Sequence, residues 1–344
     1  METYSFELYR ALQDIGCDVE LCKPGSDMLG RPSLYQMARF FLSASWFLLR
    51  RARAFDAILL GDFALASLAP VARFASWGKA RVVVSLHGND LYFLRKQNAQ
   101  ALLYRLLARG VVASRSIDAA IANSTAIAGE AARHGIEPVT VVPLATVLPP
   151  AGVMATQREP LLVFTSRLIR YKGLSWFIRE VWPHLDQRFE LVVAGQVWDE
   201  AEHACLVGQA RVRYLGPVPY ETLPALRACA MASIMPNIPP TGSEQDEGFG
   251  LVALEAPAVG TPTVASRCGG IADAVAEGVT GFLLPPLDAS AWIERLNDLV
   301  QWPDARREAF AQGARRHVDE HYNWRLVARR TLAALEAACR RGST

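Results

Sequence analysis

The segment 247–256, with the sequence EGFGLVALEA, carries the clearest chemical pattern in this chain. Gly248 and Gly250 allow the backbone to approach a ligand more closely than bulkier residues would. We expect a helix to begin near Gly250, so that its free amides and positive dipole end form an anion site. A diphosphate suits such a site, which in this prediction comprises Gly248, Phe249, Gly250 and Leu251.

Two carboxylates flank this turn, Glu247 before it and Glu255 after it. Glu255 would lie roughly 7 Å further along the helix at 1.5 Å per residue. A carboxylate at that position repels phosphates but accepts hydrogen bonds from hydroxyl groups such as those of a ribose. Glu247, on the loop, is predicted to do the same for the hydroxyls of a sugar.

Two cations follow another predicted strand, Leu161–Phe164. The sequence continues as TSRLIRYKG, which places Arg167 and Lys172 beyond the end of that strand. Arginine offers a fork for phosphate oxygens, and lysine offers a point charge. These two residues are therefore predicted to bind the phosphates that the glycine turn also faces.

A histidine loop follows the strand 81–86 in the first half of the chain. It reads SLHGND over 85–90, so that His87 lies where a strand meets a loop containing Gly88. A lone histidine in such a place is usually structural, but the neighbouring Gly88 and Asp90 favour a functional position for His87. We include Asp90 in the candidate site on the same side.

The elements that must position these residues alternate between short apolar strands and longer helices. Such alternation predicts parallel sheets covered on both faces, with ligands beyond the carboxyl ends of the strands. The predicted strands are Asp18–Leu21, Ala57–Leu60, Val82–Leu86, Ala119–Ala122, Thr140–Val142, Leu161–Phe164, Leu191–Ala194, Val212–Leu215, Ala232–Met235, Thr263–Ala265 and Phe282–Leu284. Helices predicted between and after them include Phe6–Ile15, Ala99–Val112 and Leu326–Cys339.

A proline- and glycine-containing segment, 147–152, interrupts this alternation. We predict two Rossmann-like α/β domains that face a cleft, 1–150 and 151–325, with the helix over 326–344 returning to the first domain. Neither G-x-G-x-x-G after a strand, nor a P-loop, nor a G-x-S-x-G elbow occurs, which argues against a dinucleotide oxidoreductase, a P-loop NTPase and an α/β-hydrolase.

Composition excludes several classes of protein. The 344 residues carry 36 basic and 34 acidic side chains, a net charge of +2, unlike a nucleic-acid-binding protein. The six cysteines show no zinc spacing and suggest reduced thiols. The polar start lacks the features of a signal peptide, so we expect a cytoplasmic protein.

The segment 34–53 has two interpretations. Its apolar residues recur at helical spacing and are followed by Arg50, Arg51 and Arg53. A helix that covers the first sheet needs such a stripe, and we favour this interpretation. A basic amphipathic helix at the inner face of a membrane would show the same pattern.

Together these segments resemble the retaining GT-B glycosyltransferases of group 1, also called family 4. That family shows an E-x7-E element, an earlier R-x4-K after a strand and an HG-x-D loop, which match Glu247/Glu255, Arg167/Lys172 and 87–90. Further matches are 121–124 (IANS), 215–218 (LGPV), 269–270 (GG) and 278–281 (GVTG). The order agrees over almost the whole chain.

The resemblance implies transfer of a sugar from a UDP- or GDP-linked donor to a glycan or lipid-linked hydroxyl, with retention of configuration. Arg167, Lys172 and the amides after Gly248 would meet the diphosphate, and Glu255 the ribose. Backbone near Gly216 and Val218 would read the base. Glu247 and His87 would be the catalytic residues at the transferred sugar, and Asp90 would lie on the acceptor side. No cofactor or metal is implied, which agrees with the lack of an Asp-x-Asp motif.

The beginning of the sequence departs from the family pattern. Family members open with a strand and a Gly-Gly loop, whereas this sequence starts at the helix that follows them. We hypothesise that Met1 is an internal methionine of a longer reading frame, or that the chain is a truncated form. A short form would have doubtful activity, because loss of that strand exposes ladder groups and apolar surface.

Two other functions remain open from the sequence. A non-catalytic module that binds a nucleotide sugar or a partner would keep the donor pocket but lack turnover. A GT-B-fold sugar-nucleotide epimerase would convert the donor without any acceptor.

Overall fold

The computed structural model describes residues 2–22, 33–153, 158–242 and 245–341. The chain divides into two compact units, residues 1–142 with 324–344, and residues 143–323. The division after Val142 lies a few residues before the predicted boundary at 150. The terminal helix belongs to the first unit, where it packs against the first helix and the second strand.

Unit 1 holds a parallel sheet with the strand order β1-β2-β3-β4 in its described part. The strands are β1 (Ala57–Leu60), β2 (Arg81–Leu86), β3 (Ala119–Ala122) and β4 (Val139–Val141). Its α-helices are α1 (Glu2–Asp14), α2 (Leu34–Arg51), α3 (Ala69–Ala75), α4 (Asn89–Tyr92), α5 (Ala99–Ala113), α6 (Thr125–Arg133) and α14 (Trp324–Arg341). Short 3-10 turns cover Ala52–Ala54, Phe63–Leu68 and Phe93–Arg95.

One strand prediction in unit 1 is wrong, since Asp18–Leu21 forms no strand. Its alternation of polar and apolar residues suits a half-buried strand, but a strand also needs a hydrogen-bonded neighbour. Asp18–Leu21 and β1 both line a cavity of about 2310 Å³ instead of pairing with each other. The other predicted strands of both units appear within one residue of their predicted ends, the normal uncertainty of such boundaries.

Unit 2 holds a parallel sheet with the order β10-β9-β8-β5-β6-β7 in its described part. The strands are β5 (Leu161–Thr165), β6 (Glu190–Ala194), β7 (Val212–Gly216), β8 (Ala232–Met235), β9 (Thr263–Ser266) and β10 (Gly281–Leu284). Its α-helices are α7 (Leu174–Trp176), α8 (Glu200–Ala204), α9 (Leu223–Ala228), α10 (Val252–Glu255), α11 (Ile271–Ala274), α12 (Ala289–Val300) and α13 (Asp304–His321). A π-turn, Phe177–Val181, continues α7, and 3-10 turns cover Ala151–Val153, Arg170–Lys172, Trp182–His184, Tyr220–Thr222 and Pro257–Val259.

The order of strands in unit 2 defines where a ligand should bind. From β5 the chain proceeds outward through β6 and β7 on one side, and from β8 through β9 and β10 on the other. Ligands of open parallel sheets bind beyond the carboxyl ends of the strands where the order reverses in this way. The loops that follow β5 and β8 meet at this place, and they carry Arg167, Lys172 and Glu247.

No helix in the described ranges is long and apolar enough to span a membrane.

The core of unit 2 depends on large aromatic side chains between the sheet and its helices. Trp292 of α12 is fully buried, with its ring centroid 6.1 Å from that of Trp176 and 5.7 Å from that of Phe177. Both pairs meet edge to face, the arrangement that aromatic quadrupoles favour.

We expect Trp292→Ala to lower the free energy of unfolding by about 3–5 kcal/mol, because it removes a large buried side chain and leaves a cavity. Guanidinium titration measures this change. Val207→Ala, at an exposed position of the same unit, is the control and should change stability by less than about 0.5 kcal/mol. Equal effects of the two substitutions would contradict this packing.

Candidate functional site

Arg167 follows the buried strand β5 and lies against aromatic side chains. Its guanidinium carbon stands 4.5 Å from the ring centroid of Trp198, and its Nη2 donates to the Tyr171 hydroxyl at 3.3 Å. A planar guanidinium stacked on an indole keeps its edge available to a further acceptor. The aromatic contacts therefore orient this cation without neutralising its charge.

Lys172 ends the 3-10 turn that follows Arg167, and it is buried. The next residue, Gly173, has a φ of +72°, and a Cβ there would lie 1.8 Å from the carbonyl oxygen of Pro236. Only glycine allows this approach between the loop after β5 and the loop after β8. This close contact between the two loops determines where the Lys172 side chain enters the site.

Lys172 and Glu247 form an ion pair in which both side chains are largely buried. Asn237, on the loop after β8, also donates to Glu247 Oε2, at 3.5 Å. The two residues predicted for separate parts of a donor, its phosphate and its sugar, are therefore in direct contact. An ammonium has three donors, so Lys172 can hold Glu247 and a phosphate oxygen together.

The backbone of Glu247 packs against two consecutive glycines, Gly269 and Gly270. The amide of Gly270 donates to the Glu247 carbonyl at 2.8 Å, and the Glu247 amide donates to Asp246 Oδ1 at 2.7 Å. Gly269 has a φ of +49°, and a Cβ there would lie 2.4 Å from the Glu247 carbonyl oxygen. Glycine at 269 is therefore needed for the backbone of Glu247 to take this position, which gives a physical reason for the GG match.

The helix predicted to begin near Gly250 is present, but only as a single turn that starts at Val252. Gly250 has a φ of +85°, and α10 covers only Val252–Glu255. Pro257 follows within a turn and supplies no amide hydrogen, so the chain continues as a 3-10 turn, Pro257–Val259. A single α-turn has a smaller dipole than the helix that we expected, so any anion binding at 248–251 must depend mainly on local amides.

Glu255 is held by residues that the sequence did not single out. Arg227 Nη2 lies 2.6 Å from Glu255 Oε2, and the Tyr220 hydroxyl donates to Oε1 at 3.1 Å. Arg227 is only 2% exposed and also donates through Nη2 to Thr165 Oγ1, at 3.0 Å, at the end of β5. Burial lowers the pKa of Arg227, and Glu255 opposes that shift. Glu255 is thus fixed in place by its contact with Arg227.

The predicted base-reading segment, around Gly216 and Val218, is followed by a residue that contacts Glu255. Gly216 ends β7, and its carbonyl accepts a hydrogen bond from the Gly195 amide at 2.9 Å. Val218 and Pro219 follow, and then Tyr220, whose hydroxyl reaches Glu255. Desolvation of the hydroxyl beside Glu255, followed by the charge of Glu255, raises the pKa of Tyr220 to about 12, so the phenol stays protonated and donates. One hydrogen bond therefore joins Glu255, the predicted ribose residue, to Tyr220, which lies two residues after the predicted base-reading segment.

A sequence signal existed for Arg227 but not for Tyr220. Arg227 interrupts the apolar run 223–235, and an arginine among such residues requires a buried partner. Tyr220 is exposed at the start of a 3-10 turn, a setting in which tyrosines usually have no special role.

His87 belongs to unit 1, where it follows β2. Its Nε2 lies 3.2 Å from the carbonyl oxygen of Gly61 and 3.1 Å from Ser85 Oγ, and its ring packs against Tyr4 with centroids 4.7 Å apart. A carbonyl only accepts hydrogen bonds, so the contact with Gly61 favours the tautomer in which Nε2 carries the proton. Burial lowers the pKa of His87, although the nearby Asp90 acts in the opposite direction. The ring is therefore neutral near pH 7.

Asp90 supports the loop that holds His87. Its Oδ1 accepts from the amides of Gly88, at 2.8 Å, and Leu91, at 3.0 Å. Its Oδ2 accepts from the amide of Phe63 at 3.2 Å and is 3.4 Å from that of His87. A buried carboxylate with these backbone contacts holds a turn together. These contacts give Asp90 a structural role, in addition to the acceptor-side role that the sequence predicts.

Within the described residues, no group of three or more His, Cys, Asp or Glu side chains converges to hold a metal ion. The expectation that no metal is needed stays a prediction.

Comparison with known proteins identifies the class. Residues 1–146 match the profile described as Glycosyltransferase Family 4, and residues 159–301 match Glycosyl transferases group 1. Two solved structures share the fold: HepE of Anabaena in complex with UDP (TM-score 0.69, 20% identity, 89% of this chain and 84% of that one) and a glycosyltransferase from Rickettsia africae (TM-score 0.70, 15% identity, 98% and 94%). The fold is that of the GT-B glycosyltransferases.

Sequence relatives identify the family. The GDP-mannose-dependent alpha-(1-6)-phosphatidylinositol monomannoside mannosyltransferase of Mycolicibacterium smegmatis is 32% identical over 277 residues, 76% of this chain and 71% of that protein. The D-inositol 3-phosphate glycosyltransferase of Corynebacterium urealyticum is 41% identical over 121 residues, 35% of this chain and only 26% of that protein. This chain belongs to the group 1, or family 4, glycosyltransferases.

The support of Glu247 by glycine can be tested with a matched pair of variants. Gly269 and Gly208 both have positive φ, but a Cβ would collide with backbone only at Gly269. We expect Gly269→Ala to lower the free energy of unfolding by about 1–3 kcal/mol more than Gly208→Ala, because overpacking adds to the shared backbone strain. Denaturant titration of both variants measures the difference, and equal losses would contradict the close packing behind Glu247.

The lowered pKa of His87 predicts a pH dependence of stability. The unfolded chain binds a proton at this histidine near pH 6.5, whereas the folded chain resists it, so the folded state loses stability as the pH falls through about 6.5. We expect the loss between about pH 7.5 and 5.5 to be smaller for His87→Asn than for the native chain. His184→Asn, at an exposed histidine, is the control and should follow the native slope. If His87→Asn lost stability with falling pH as steeply as the native chain does, the lowered pKa of His87 would be refuted.

Proposed function

We propose that this protein transfers a sugar from a nucleoside diphosphate donor to a hydroxyl acceptor. The observation that carries the proposal is the arrangement of two cations and two carboxylates around the loops after β5 and β8. Arg167 and Lys172 provide the positive charge that a diphosphate needs, while Glu247 and Glu255 provide acceptors for hydroxyl groups. Each of the four is held in place by the contacts described above.

In this proposal the donor diphosphate meets Arg167, Lys172 and the amides of 248–251. Glu255 accepts hydrogen bonds from the ribose, since each of its oxygens has a second lone pair beyond those used by Arg227 and Tyr220. Backbone at Gly216 and Val218 contacts the base. HepE was crystallised with UDP and the mannosyltransferase relative depends on GDP-mannose, so both nucleotides are candidates for this chain.

The transfer step requires no nucleophile from the protein. The acceptor oxygen forms a bond to the anomeric carbon as the bond from that carbon to the diphosphate oxygen breaks. The bonding electrons leave with the nucleoside diphosphate, and its phosphate takes the proton of the acceptor hydroxyl. When the acceptor enters from the face that the diphosphate leaves, the configuration is retained. Lys172 and Arg167 stabilise the charge that develops on the leaving group.

Glu247 and His87 are assigned to the transferred sugar. Glu247 keeps its carboxylate near Lys172, where it can accept hydrogen bonds from sugar hydroxyls. His87 is a neutral ring whose protonated Nε2 is engaged by Gly61, which leaves Nδ1 as an acceptor. Asp90 supports this residue through the loop backbone.

The acceptor is proposed to be a glycan or a lipid-linked hydroxyl. The Mycolicibacterium relative is named for a phosphatidylinositol monomannoside acceptor, and the Corynebacterium relative for D-inositol 3-phosphate. Both acceptors are polyols that carry a phosphate. We place the reaction in the cytoplasm, at the inner face of the membrane when the acceptor is lipid-linked.

Calorimetric titration of UDP, GDP and ADP tests the donor site. We expect one nucleotide to bind the native chain, and Glu255→Ala to weaken it by about 10- to 100-fold, because a charged hydrogen bond contributes roughly 1.5–3 kcal/mol. Glu200→Ala, at an exposed glutamate of the same unit, should bind like the native chain. Because Glu255→Ala also leaves Arg227 without its carboxylate, Glu255→Gln and a thermal melt of each variant accompany it.

The other outcomes separate the alternatives. A folded native chain that binds none of the three nucleotides would contradict the donor site. Binding without turnover on added acceptors would favour a non-catalytic module, and conversion of the donor sugar without acceptor would favour an epimerase.

A further inference from the structure

The carboxylate of Glu255 meets one partner from the protein interior and one from the solvent side. Arg227, on α9, is 2% exposed and lies beside Oε2, whereas Tyr220 is 62% exposed and donates to Oε1 at 3.1 Å. The Glu255 side chain itself is only 12% exposed. The Tyr220 hydroxyl therefore covers the oxygen of Glu255 that faces the solvent side.

Glu255 does not need Tyr220 to keep its position. Arg227 donates through Nη2 to Thr165 Oγ1 at 3.0 Å, and its carbonyl accepts from the Thr261 hydroxyl at 2.7 Å. A buried arginine fixed in this way holds a carboxylate more firmly than an exposed tyrosine does, because a hydrogen bond between two charged groups is the stronger one. The Tyr220 hydroxyl can thus leave while Glu255 stays in place.

Tyr220 can move its side chain without any change of the backbone. Its turn is closed by the amide and the hydroxyl of Thr222, which both donate to the Pro219 carbonyl, at 3.1 and 2.7 Å. More than half of the Tyr220 side chain is exposed, so rotation about its side-chain bonds breaks few contacts. Exposed side chains change rotamer rapidly. The hydrogen bond to Glu255 is therefore readily broken and formed again.

We propose that the Tyr220 hydroxyl is a stand-in for a ribose hydroxyl, which a bound nucleotide displaces from Glu255. A phenol and a ribose hydroxyl donate the same kind of hydrogen bond to a carboxylate, over the same range of distance. Tyr220 also lies two residues after Val218, so a nucleoside at the predicted base-reading segment reaches the same carboxylate. The inference rests on the proposed contact between Glu255 and the ribose.

The stand-in keeps the largely buried carboxylate hydrogen-bonded while the site is empty. A missing hydrogen bond to a desolvated charge is unfavourable, so the empty site is more stable with Tyr220 in place. The ribose has two adjacent hydroxyls: one can use a lone pair of Glu255 that is still free, but the other needs the position of the tyrosine. The affinity for a nucleotide is therefore lowered by the bond that must first be broken.

Calorimetric titration of Tyr220→Phe tests the stand-in, because this variant keeps the ring and removes only the hydroxyl. The ligands are whichever of UDP, GDP and ADP binds the native chain, and its 2′-deoxy and 3′-deoxy forms. We expect Tyr220→Phe to bind the ribonucleotide about two- to tenfold more tightly than the native chain, the range that one net hydrogen bond supplies. One of the two deoxy forms lacks the hydroxyl that displaces the tyrosine, and it should bind both chains equally.

Two further variants locate the effect at Glu255. In the Glu255→Ala background, Tyr220→Phe should not change the affinity, because no carboxylate remains for the hydroxyl to cover. Tyr35→Phe removes the hydroxyl of a 75% exposed tyrosine in unit 1, and it should bind every nucleotide like the native chain. A thermal melt of each variant shows whether the chain is folded.

Weaker or unchanged binding of the ribonucleotide by Tyr220→Phe would overturn the proposal, and so would an equal gain for the ribonucleotide and both deoxy forms. A gain that remains in the Glu255→Ala background would also contradict it. If the native chain binds none of the three nucleotides, the donor site itself is wrong, and the stand-in with it. Failure of the stand-in alone leaves nucleotide binding by the native chain intact.

Discussion

The candidate donor site depends on a simple electrostatic constraint, which is that a carboxylate removed from water needs a cation beside it. Glu247 and Glu255 are both largely buried in unit 2, and each meets one buried cation, Lys172 or Arg227. Both cations also connect to β5, Lys172 through the turn that follows it and Arg227 through Thr165. Replacing either cation would leave a desolvated charge, which is far more costly than the loss of a surface ion pair.

This constraint explains why the loops after β5 and β8 have so little freedom. Gly173 brings the first loop against the carbonyl of Pro236, and Gly269 brings the 269–270 turn against the carbonyl of Glu247. Both contacts place the cation and the carboxylate close enough to pair. An incoming diphosphate would therefore meet charges that are already positioned, so less ordering is needed on binding.

The sequence predicted the fold better than it predicted the partners within the site. Buried parallel strands are continuous apolar runs, so they were found almost to the residue, while the matches with family motifs singled out Glu247, Glu255 and Lys172 as candidates. Arg227 and Tyr220 were missed because their importance comes from contacts across 28 and 35 residues of sequence. A local pattern can mark a buried charge, as the apolar run around Arg227 does, but it does not identify the distant partner. The helix near Gly250 was predicted, but its shortness was not, because Pro257 lies beyond the segment 247–256 on which the prediction was based.

The same limit applies to α2, where periodicity alone allowed two interpretations. A helix that covers a sheet and a helix that lies on a membrane both need an apolar stripe, and one stripe cannot serve both. Ala44 and Leu48 form the stripe that faces the core, which agrees with the interpretation that we favoured. Tyr35, Leu42, Trp46 and Leu49 form a second stripe on the opposite side. A count of apolar positions merges the two stripes, so only the exposure of each side chain shows that the core interpretation leaves these four residues unexplained. Such residues on a water-exposed face are unfavourable unless another surface covers them.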